Sequence, residues 1–299
     1  MSEELRFDGR VVIVTGAGGG LGREYAKLLA ARGASVVVND LGGTVNGQGG
    51  DNSAADKVVA EIKAAGGEAV ANYESVEDGE RIVEQAMDTY GKIDILINNA
   101  GILRDKSFAK MTEEEWSSVY RVHLYGSFKT THAAWPHLRA NGYGRMVMAA
   151  SSSGAYGNFG QANYGAMKMG LIGLIRTLSL EGMKYDIKSN AILPYGGTRM
   201  TEGIVPEQVY KVTAPENASP MVAYLCHESF NETGQVYEVG GGFMSKIRWQ
   251  RSKGHLFPVS DGLTIEDVAA NWDSVTDFDS PAYPTSAADA YQEILKNVG

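Results

Sequence analysis

Three side chains near the middle of the chain have the types and spacing to move a proton: Ser151, Tyr164 and Lys168. A tyrosine phenol is a weak base at its ordinary pKa of about 10, and a neighbouring ammonium or a positive cofactor ring favours the phenolate. Tyr164 and Lys168 lie four positions apart, so on one helix they share a face about one turn apart. A serine hydroxyl beside the phenol polarises the same oxygen, as an oxyanion donor does. Such a set suits an alcohol that loses its proton while a hydride leaves the carbon, and that chemistry requires a hydride acceptor. Alone, Tyr-x-x-x-Lys is more readily a solvated helix pair.

A second segment supplies the missing part. Thr15-Gly16-Ala17-Gly18-Gly19-Gly20-Leu21-Gly22 follows the apolar run Val11-Val12-Ile13-Val14 and precedes helical spacing from Leu21 to Arg32. A glycine turn between strand and helix lets the backbone approach phosphate oxygens. The helix start offers free N–H groups and a positive dipole end to the same anion. Gly16, Gly20, Leu21 and Gly22 are therefore candidates to cradle a dinucleotide pyrophosphate. The spacing Gly-x-x-x-Gly-x-Gly is wider than the common Gly-x-Gly-x-x-Gly fingerprint. The next strand, Ser35 to Asn39, ends at Asp40, placed to accept hydrogen bonds from an adenosine ribose and to repel a 2′-phosphate. Neither Gly19 nor Leu41 is basic, so the expected cofactor is NAD rather than NADP.

The elements that must position these groups form an α/β pattern. Apolar strands are expected at 11–15, 35–39, 68–72, 93–98, 144–149, 188–193 and 236–239. Helices are expected near 21–32, 53–65, 79–90, 112–140, 160–184 and 219–227, with a capping box at Thr112 and Glu115. Alternating buried-type strands and helices predict a doubly wound parallel sheet of Rossmann type. Its ligands gather at the carboxyl ends of the strands, where Gly16, Asp40, Asn98-Asn99, Ser151 and Pro194 fall. Two regions break the pattern. Leu41 to Asn52 is a long glycine-rich loop, read equally well as an adenosine cover and as a bare excursion. Residues 243–299 form a tail with little strand character and a basic start, Lys246, Arg248, Arg251 and Lys253. The expected organisation is one dinucleotide-binding domain, 1–242, with an extension, 243–299, for subunit contact or for the phosphates of an acyl carrier.

Composition narrows the classes. The chain has 299 residues, 43% of them hydrophobic, and a formal charge of −9, which gives no general attraction to nucleic acid or anionic membrane. Its single cysteine, Cys226, excludes an internal disulfide and is read as a small buried hydrophobe. No metal cluster, no signal peptide, no apolar run of transmembrane length and no Ser-Lys-Leu-type terminus is visible.

The combination Thr15-Gly16-x-x-x-Gly20-x-Gly22, Asn98-Asn99-Ala100-Gly101, Ser151 and Tyr164-x-x-x-Lys168 resembles the short-chain dehydrogenase/reductase family over roughly residues 8–243. The resemblance implies that Tyr164 is the acid/base and that Asn99, Ala100 and Lys168 lie near the nicotinamide ribose. It also implies that the turn Gly196, Gly197, Thr198, Arg199 covers the nicotinamide. A narrower resemblance rests on Arg6-Phe-Asp-Gly-Arg-Val-Val, Val38-Asn-Asp-Leu-Gly-Gly, Ala71-Asn-Tyr-Glu-Ser-Val, Gly157-Asn-Phe-Gly-Gln-Ala-Asn-Tyr and Lys246-Ile-Arg-Trp. These look like the (3R)-hydroxyacyl-CoA dehydrogenase part of the type 2 peroxisomal multifunctional enzymes (D-bifunctional protein). There Ser75 and Val76 would hold the adenine edge. His123 stands where the wider family has an asparagine that helps hold a relay water. Two readings stay open for it, a member of the relay or a packing residue at a helix kink.

The resulting expectation is NAD-dependent oxidation of (3R)-3-hydroxyacyl-CoA to 3-ketoacyl-CoA in fatty-acid β-oxidation, by a homodimer. Alternatives are a dehydrogenase for steroids or other secondary alcohols and, from another class, a non-catalytic nucleotide sensor. The resemblance implies a peroxisomal location, or a cytoplasmic one for a free-standing enzyme. No hydratase or carrier domain follows residue 299, which fits both a free-standing dehydrogenase and a fragment.

Overall fold

The computed structural model describes residues 4–198, 203, 205–260 and 262–297. Two compact units are present, residues 1–246 and 247–299. In the first, the apolar runs become strands β1 (Val11–Thr15), β2 (Ser35–Asn39), β3 (Glu68–Asn72), β4 (Ile95–Asn98), β5 (Gly144–Ala149), β6 (Ile187–Pro194), β7 (Val236–Gly240) and β8 (Phe243–Ile247). They form one sheet of order β3-β2-β1-β4-β5-β6-β7-β8. Every pairing from β3 through to β7 is parallel. Chain order reverses between β1 and β4, and such a switch point opens a crevice at the carboxyl ends of the strands.

The sheet is covered on both faces because its strands are apolar on both faces. In β1, Val12 and Val14 join a cluster with Tyr25 and Leu29 of α1 (Gly20–Ala31), Val58 and Ile62 of α2 (Ser53–Ala64), and Val222 and Leu225 of α9 (Ser219–Cys226). Val11 and Ile13 join the opposite cluster, with Ile82 and Val83 of α3 (Gly79–Tyr90) and Ala134 and Leu138 of α5 (Gly126–Asn141). The period-2 alternation of a strand thus divides one apolar run between two cores. At the end of the sheet away from the crevice, the guanidinium of buried Arg145 stacks over Tyr143 at 4.1 Å and donates to the Asp186 carbonyl at 2.7 Å.

One long predicted helix, 112–140, is three pieces. The Thr112–Glu115 capping box starts α4 (Glu113–Tyr120), a π turn occupies Arg121–Tyr125, and α5 follows. The extra residue of a π turn rotates the side chains beyond it, and here His123 faces the interior. Short helices α6 (Ser152–Tyr156) and α8 (Glu207–Val212) flank the long α7 (Ala162–Gly182).

The second unit holds α10 (Ile265–Ala270), α11 (Trp272–Val275) and α12 (Ala287–Leu295). Among its described residues none is buried.

Candidate active site

The glycine turn leaves β1 with Gly16 at φ +64° and Gly20 at φ +53°. A Cβ on Gly16 would lie 2.7 Å from Ala100 Cα, and one on Gly18 would lie 2.8 Å from the Asp40 carboxyl. These close approaches, to backbone at Gly16 and to side chains at Gly18, require glycine. Thr15 Oγ1 accepts from the N–H groups of Asn99 and Ala100 at 3.0 and 3.1 Å. The Asn99 amide donates back to the carbonyls of Thr15 and Gly16 at 3.0 and 3.1 Å. The end of β4 therefore clamps the turn after β1, and the Asn99 side chain is engaged in that clamp. Asp40 holds the turn from the other side, since its Oδ2 accepts from Gly18 N–H and its Oδ1 from Gly42 N–H, both at 2.7 Å.

A continuous cleft of about 680 Å³ runs along these strand ends. Gly16, Gly20, Leu21, Asp40, Ser75 and Val76 line one part, and Asn99, Ala100, His123, Ser151, Tyr164, Lys168, Gly196 and Thr198 the remainder. Gly22 and Gly197 support the cleft rather than line it. A Cβ on Gly22 would sit 2.3 Å from the Gly16 carbonyl, and Gly197 is closed against Tyr210 and Thr213. Arg199 lies outside the described residues. The glycine-rich loop, read in the sequence either as an adenosine cover or as a bare excursion, adds Thr44, Val45 and Gly47 to the lining, and sequence reasoning missed the segment Ile102–Asp105, which also lines the cleft. The loop signal was its glycine content. The second segment had none beyond following Asn98-Asn99.

Ser151 caps α6, its Oγ accepting from Ser153 N–H at 3.1 Å. Tyr164 and Lys168 project from the first turns of α7. The Lys168 ammonium is 5.3 Å from the Tyr164 ring centroid and donates to the Ala149 carbonyl at the end of β5. Burial pushes Lys168 down from 10.5 to about 7. Burial also pushes Tyr164 up to about 12, opposed by hydrogen bonding with Ser151 and reinforced by the Asp105 charge. The expectation that Lys168 lowers the tyrosine pKa is thus not met by the protein alone. The half-buried phenol loses more from desolvation than its neighbours return. His123 is buried at 1% exposure, with its Nε2 2.8 Å from the Ile102 carbonyl oxygen and 3.0 Å from the Ile102 nitrogen. Burial and the Lys168 charge hold it well below 6.5, so it is neutral.

These residues fit a nicotinamide dinucleotide: a turn closed to any Cβ, a carboxylate at the second strand end, and a proton-transfer trio in one cleft. Three basic side chains at the start of the tail have partners of their own. Lys246 pairs with Glu232 at 2.5 Å, Arg248 stacks on Tyr283 at 3.7 Å, and Arg251 donates to the Ala290 carbonyl at 3.1 Å. Among the described residues no three metal-ligating side chains converge, and no helix is long and apolar enough to cross a membrane.

The sequence profile of the short chain dehydrogenases matches residues 10–208. The chain is 55% identical over 294 residues to peroxisomal multifunctional enzyme A of Dictyostelium discoideum, covering 98% of this chain and 66% of that protein. It is 52% identical over 271 residues to a short-chain type dehydrogenase/reductase of Mycobacterium tuberculosis, covering 90% of this chain and 94% of that protein. Among solved structures, full-length peroxisomal multifunctional enzyme type 2 of Drosophila melanogaster superposes with a TM-score of 0.84 at 44% identity, over 98% of this chain and 50% of that one. The chain thus spans only part of the multifunctional enzymes it matches. With the profile match, the parallel sheet and the Ser151, Tyr164 and Lys168 cleft in agreement, the chain belongs to the short chain dehydrogenase family of oxidoreductases.

Proposed function

We propose that this chain oxidises (3R)-3-hydroxyacyl-CoA to 3-ketoacyl-CoA with NAD, as a β-oxidation step. The observation that carries the reading is one cleft holding the Ser151, Tyr164 and Lys168 trio together with Asp40 at the end of β2. The likeness to peroxisomal multifunctional enzymes supports the substrate class and a peroxisomal location. Asp40, with no basic side chain at Gly19 or Leu41, supports NAD over NADP.

NAD, when bound, supplies the hydride acceptor. Tyr164 Oη takes the proton of the substrate hydroxyl as the C3–H bond gives up its hydride and the C3 carbonyl forms. Ser151 Oγ orients the same oxygen and, by hydrogen bonding to the phenol, favours its ionised form. Lys168, when protonated, places a positive charge behind the ring. Gly16 and Gly20 form the phosphate cradle with Leu21, Ser75 and Val76 border the adenine, and Ala100, Gly196 and Thr198 border the nicotinamide end. The active form is a homodimer, in which exposed Trp116, Tyr120, Phe128 and Met169 lie on helices with apolar area to cover.

The test is NADH formation from 3-hydroxyacyl-CoA. The (3R) isomer is oxidised, with NAD preferred to NADP. Preference for the (3S) isomer, or for NADP, refutes the corresponding half of the reading. Light scattering that gives a monomer mass at micromolar concentration refutes the dimer.

A further inference from the structure

We propose that His123 is a positioning residue: it holds the ring of Tyr164 and links it, through Ile102 and Leu103, to the glycine-rich loop 41–52. The inference rests on Tyr164 as proton acceptor, as read above.

The π turn Arg121–Tyr125 aims the His123 imidazole into the core, where it stands edge-on to the Tyr164 ring, centroids 5.2 Å apart and planes at 86°. Edge-to-face pairs are directional, because the ring quadrupole favours an edge against a face. A single residue fixes the imidazole by hydrogen bonding: the Ile102 backbone, its carbonyl oxygen 2.8 Å and its nitrogen 3.0 Å from Nε2, while the buried Nδ1 has no hydrogen-bond partner. The backbone leaves it little room, since a Cβ on Gly101 would lie 2.5 Å from its Cε1. Being neutral, the ring holds its neighbour by shape and quadrupole rather than by charge. Ile102 packs with Val119 and Met167 in the small cluster against which Tyr164 rests.

The same segment reaches the loop. Leu103 N–H donates to the Val45 carbonyl at 3.0 Å, and a Cβ on Gly47 would lie 3.1 Å from Ile102 Cγ2. The loop is rooted where Asp40 Oδ1 accepts from Gly42 N–H. Contacts therefore run without a gap from Asp40 through Val45 and Gly47 to Ile102, then to His123, then to the ring of Tyr164. Whatever settles the loop also settles the segment on which His123 depends. A double-mutant cycle measures the coupling that these contacts carry.

The experiment follows the Tyr164 ring in protein labelled with [¹³C-ζ]tyrosine, its signal assigned by its loss in Tyr164→Phe. His123→Leu shifts or broadens that signal. So does Gly47→Ala, whose Cβ has Ile102 atoms as its nearest neighbours and whose backbone, at φ +71°, is left-handed. The double variant changes it no further than His123→Leu alone. An unmoved signal in His123→Leu overturns the positioning role, and an unmoved signal in Gly47→Ala, or additive changes, overturns the link to the loop. In turnover of (3R)-3-hydroxybutyryl-CoA, His123→Leu lowers kcat on the order of 10²-fold, the effect of misplacing a reacting group by about 1 Å, and leaves KM for NAD in place. His123→Gln keeps an amide that can bond either group of the Ile102 backbone and restores most of that loss; equal losses in Gln and Leu overturn the role of the Ile102 bond. If the wild type does not oxidise the thioester, the substrate reading falls, and the ring signal still decides the role of His123.

Discussion

Replacing Lys168 with methionine is expected to abolish oxidation and, at the same time, to stabilise the fold in a pH-dependent way. Lys168 is 4% exposed, and among the described residues its ammonium meets the Ala149 carbonyl and no carboxylate. Its pKa falls from 10.5 to about 7 through burial alone. At about 1.4 kcal/mol per pKa unit, this is a penalty of about 5 kcal/mol on the folded state wherever the amine must be charged. Below pH 7 both folded and unfolded chains carry the proton, and the penalty is complete. Between about pH 7 and 10.5 the unfolded chain binds a proton that the folded chain does not, so stability rises with pH. Above 10.5 neither is charged and the penalty vanishes. Methionine keeps most of the volume and removes the titration. It also removes one hydrogen bond and one cation–π contact, together about 1–3 kcal/mol, less than the penalty. Urea unfolding of both proteins without cofactor, at one protein concentration, measures the difference. Lys168→Met is more stable than wild type at pH 6, and its advantage shrinks by about 3 kcal/mol by pH 9. A difference that stays flat with pH, or a variant less stable at pH 6, refutes the account of Lys168 as a buried, uncompensated amine.

Tyr164→Phe lowers kcat by about 10²–10⁴-fold, the usual worth of general acid–base catalysis, while cofactor titration shows binding retained; near wild-type turnover moves the chemistry elsewhere. Because Tyr164 ionises only towards about 12 in the protein alone, wild-type oxidation accelerates from neutral to alkaline pH. A flat profile with a primary isotope effect on the C3 hydride removes the phenol from the slow step. Gly18→Ala pushes a methyl group against the Asp40 carboxyl and Ala54, and raises Kd for NAD about tenfold or more, some 1.4 kcal/mol, in a fluorescence titration; unchanged affinity contradicts the tight approach. Asn99→Ala removes the two bonds that hold the carbonyls of Thr15 and Gly16; the unfolding free energy from urea titration falls by about 1–3 kcal/mol, and a neutral result means that water replaces the amide.

The strands were legible because their residues are apolar on both faces, and only a parallel sheet covered on both sides buries such runs. β1, β2, β3 and β5 fall where the apolar runs predict them. The site was legible where chemistry dictates residue type and short spacing, as in the glycine turn and Tyr164 with Lys168. What spacing cannot carry is burial. Four residues on a helix place Lys168 beside Tyr164, yet nothing in that interval reports the missing carboxylate or the desolvation that moves both pKa values. The π turn at Arg121–Tyr125 was hidden within 112–140, since one extra residue in a helix leaves no compositional mark. β8 was missed because Phe243 and Met244 are exposed and its pattern is set by its neighbour rather than by its own core. Arg145, a charged residue 1% exposed in a central strand, runs against any hydropathy reading. Its guanidinium is held by the Tyr143 ring and the Asp186 carbonyl, partners distant in composition from a core.

Asp40 joins two backbones, one through each carboxylate oxygen. That bears on how such a protein can diverge. A lineage moving towards a phosphorylated cofactor would begin by losing this carboxylate, and the same mutation would untie the glycine turn at Gly18 and the loop root at Gly42. The intermediate would be loosened before it gained anything from the new ligand. Compensation at Gly18, Gly42 or their neighbours would have to come first, as neutral change, for the switch to be accessible by single steps. The adaptive route thus depends on the order in which mutations arise.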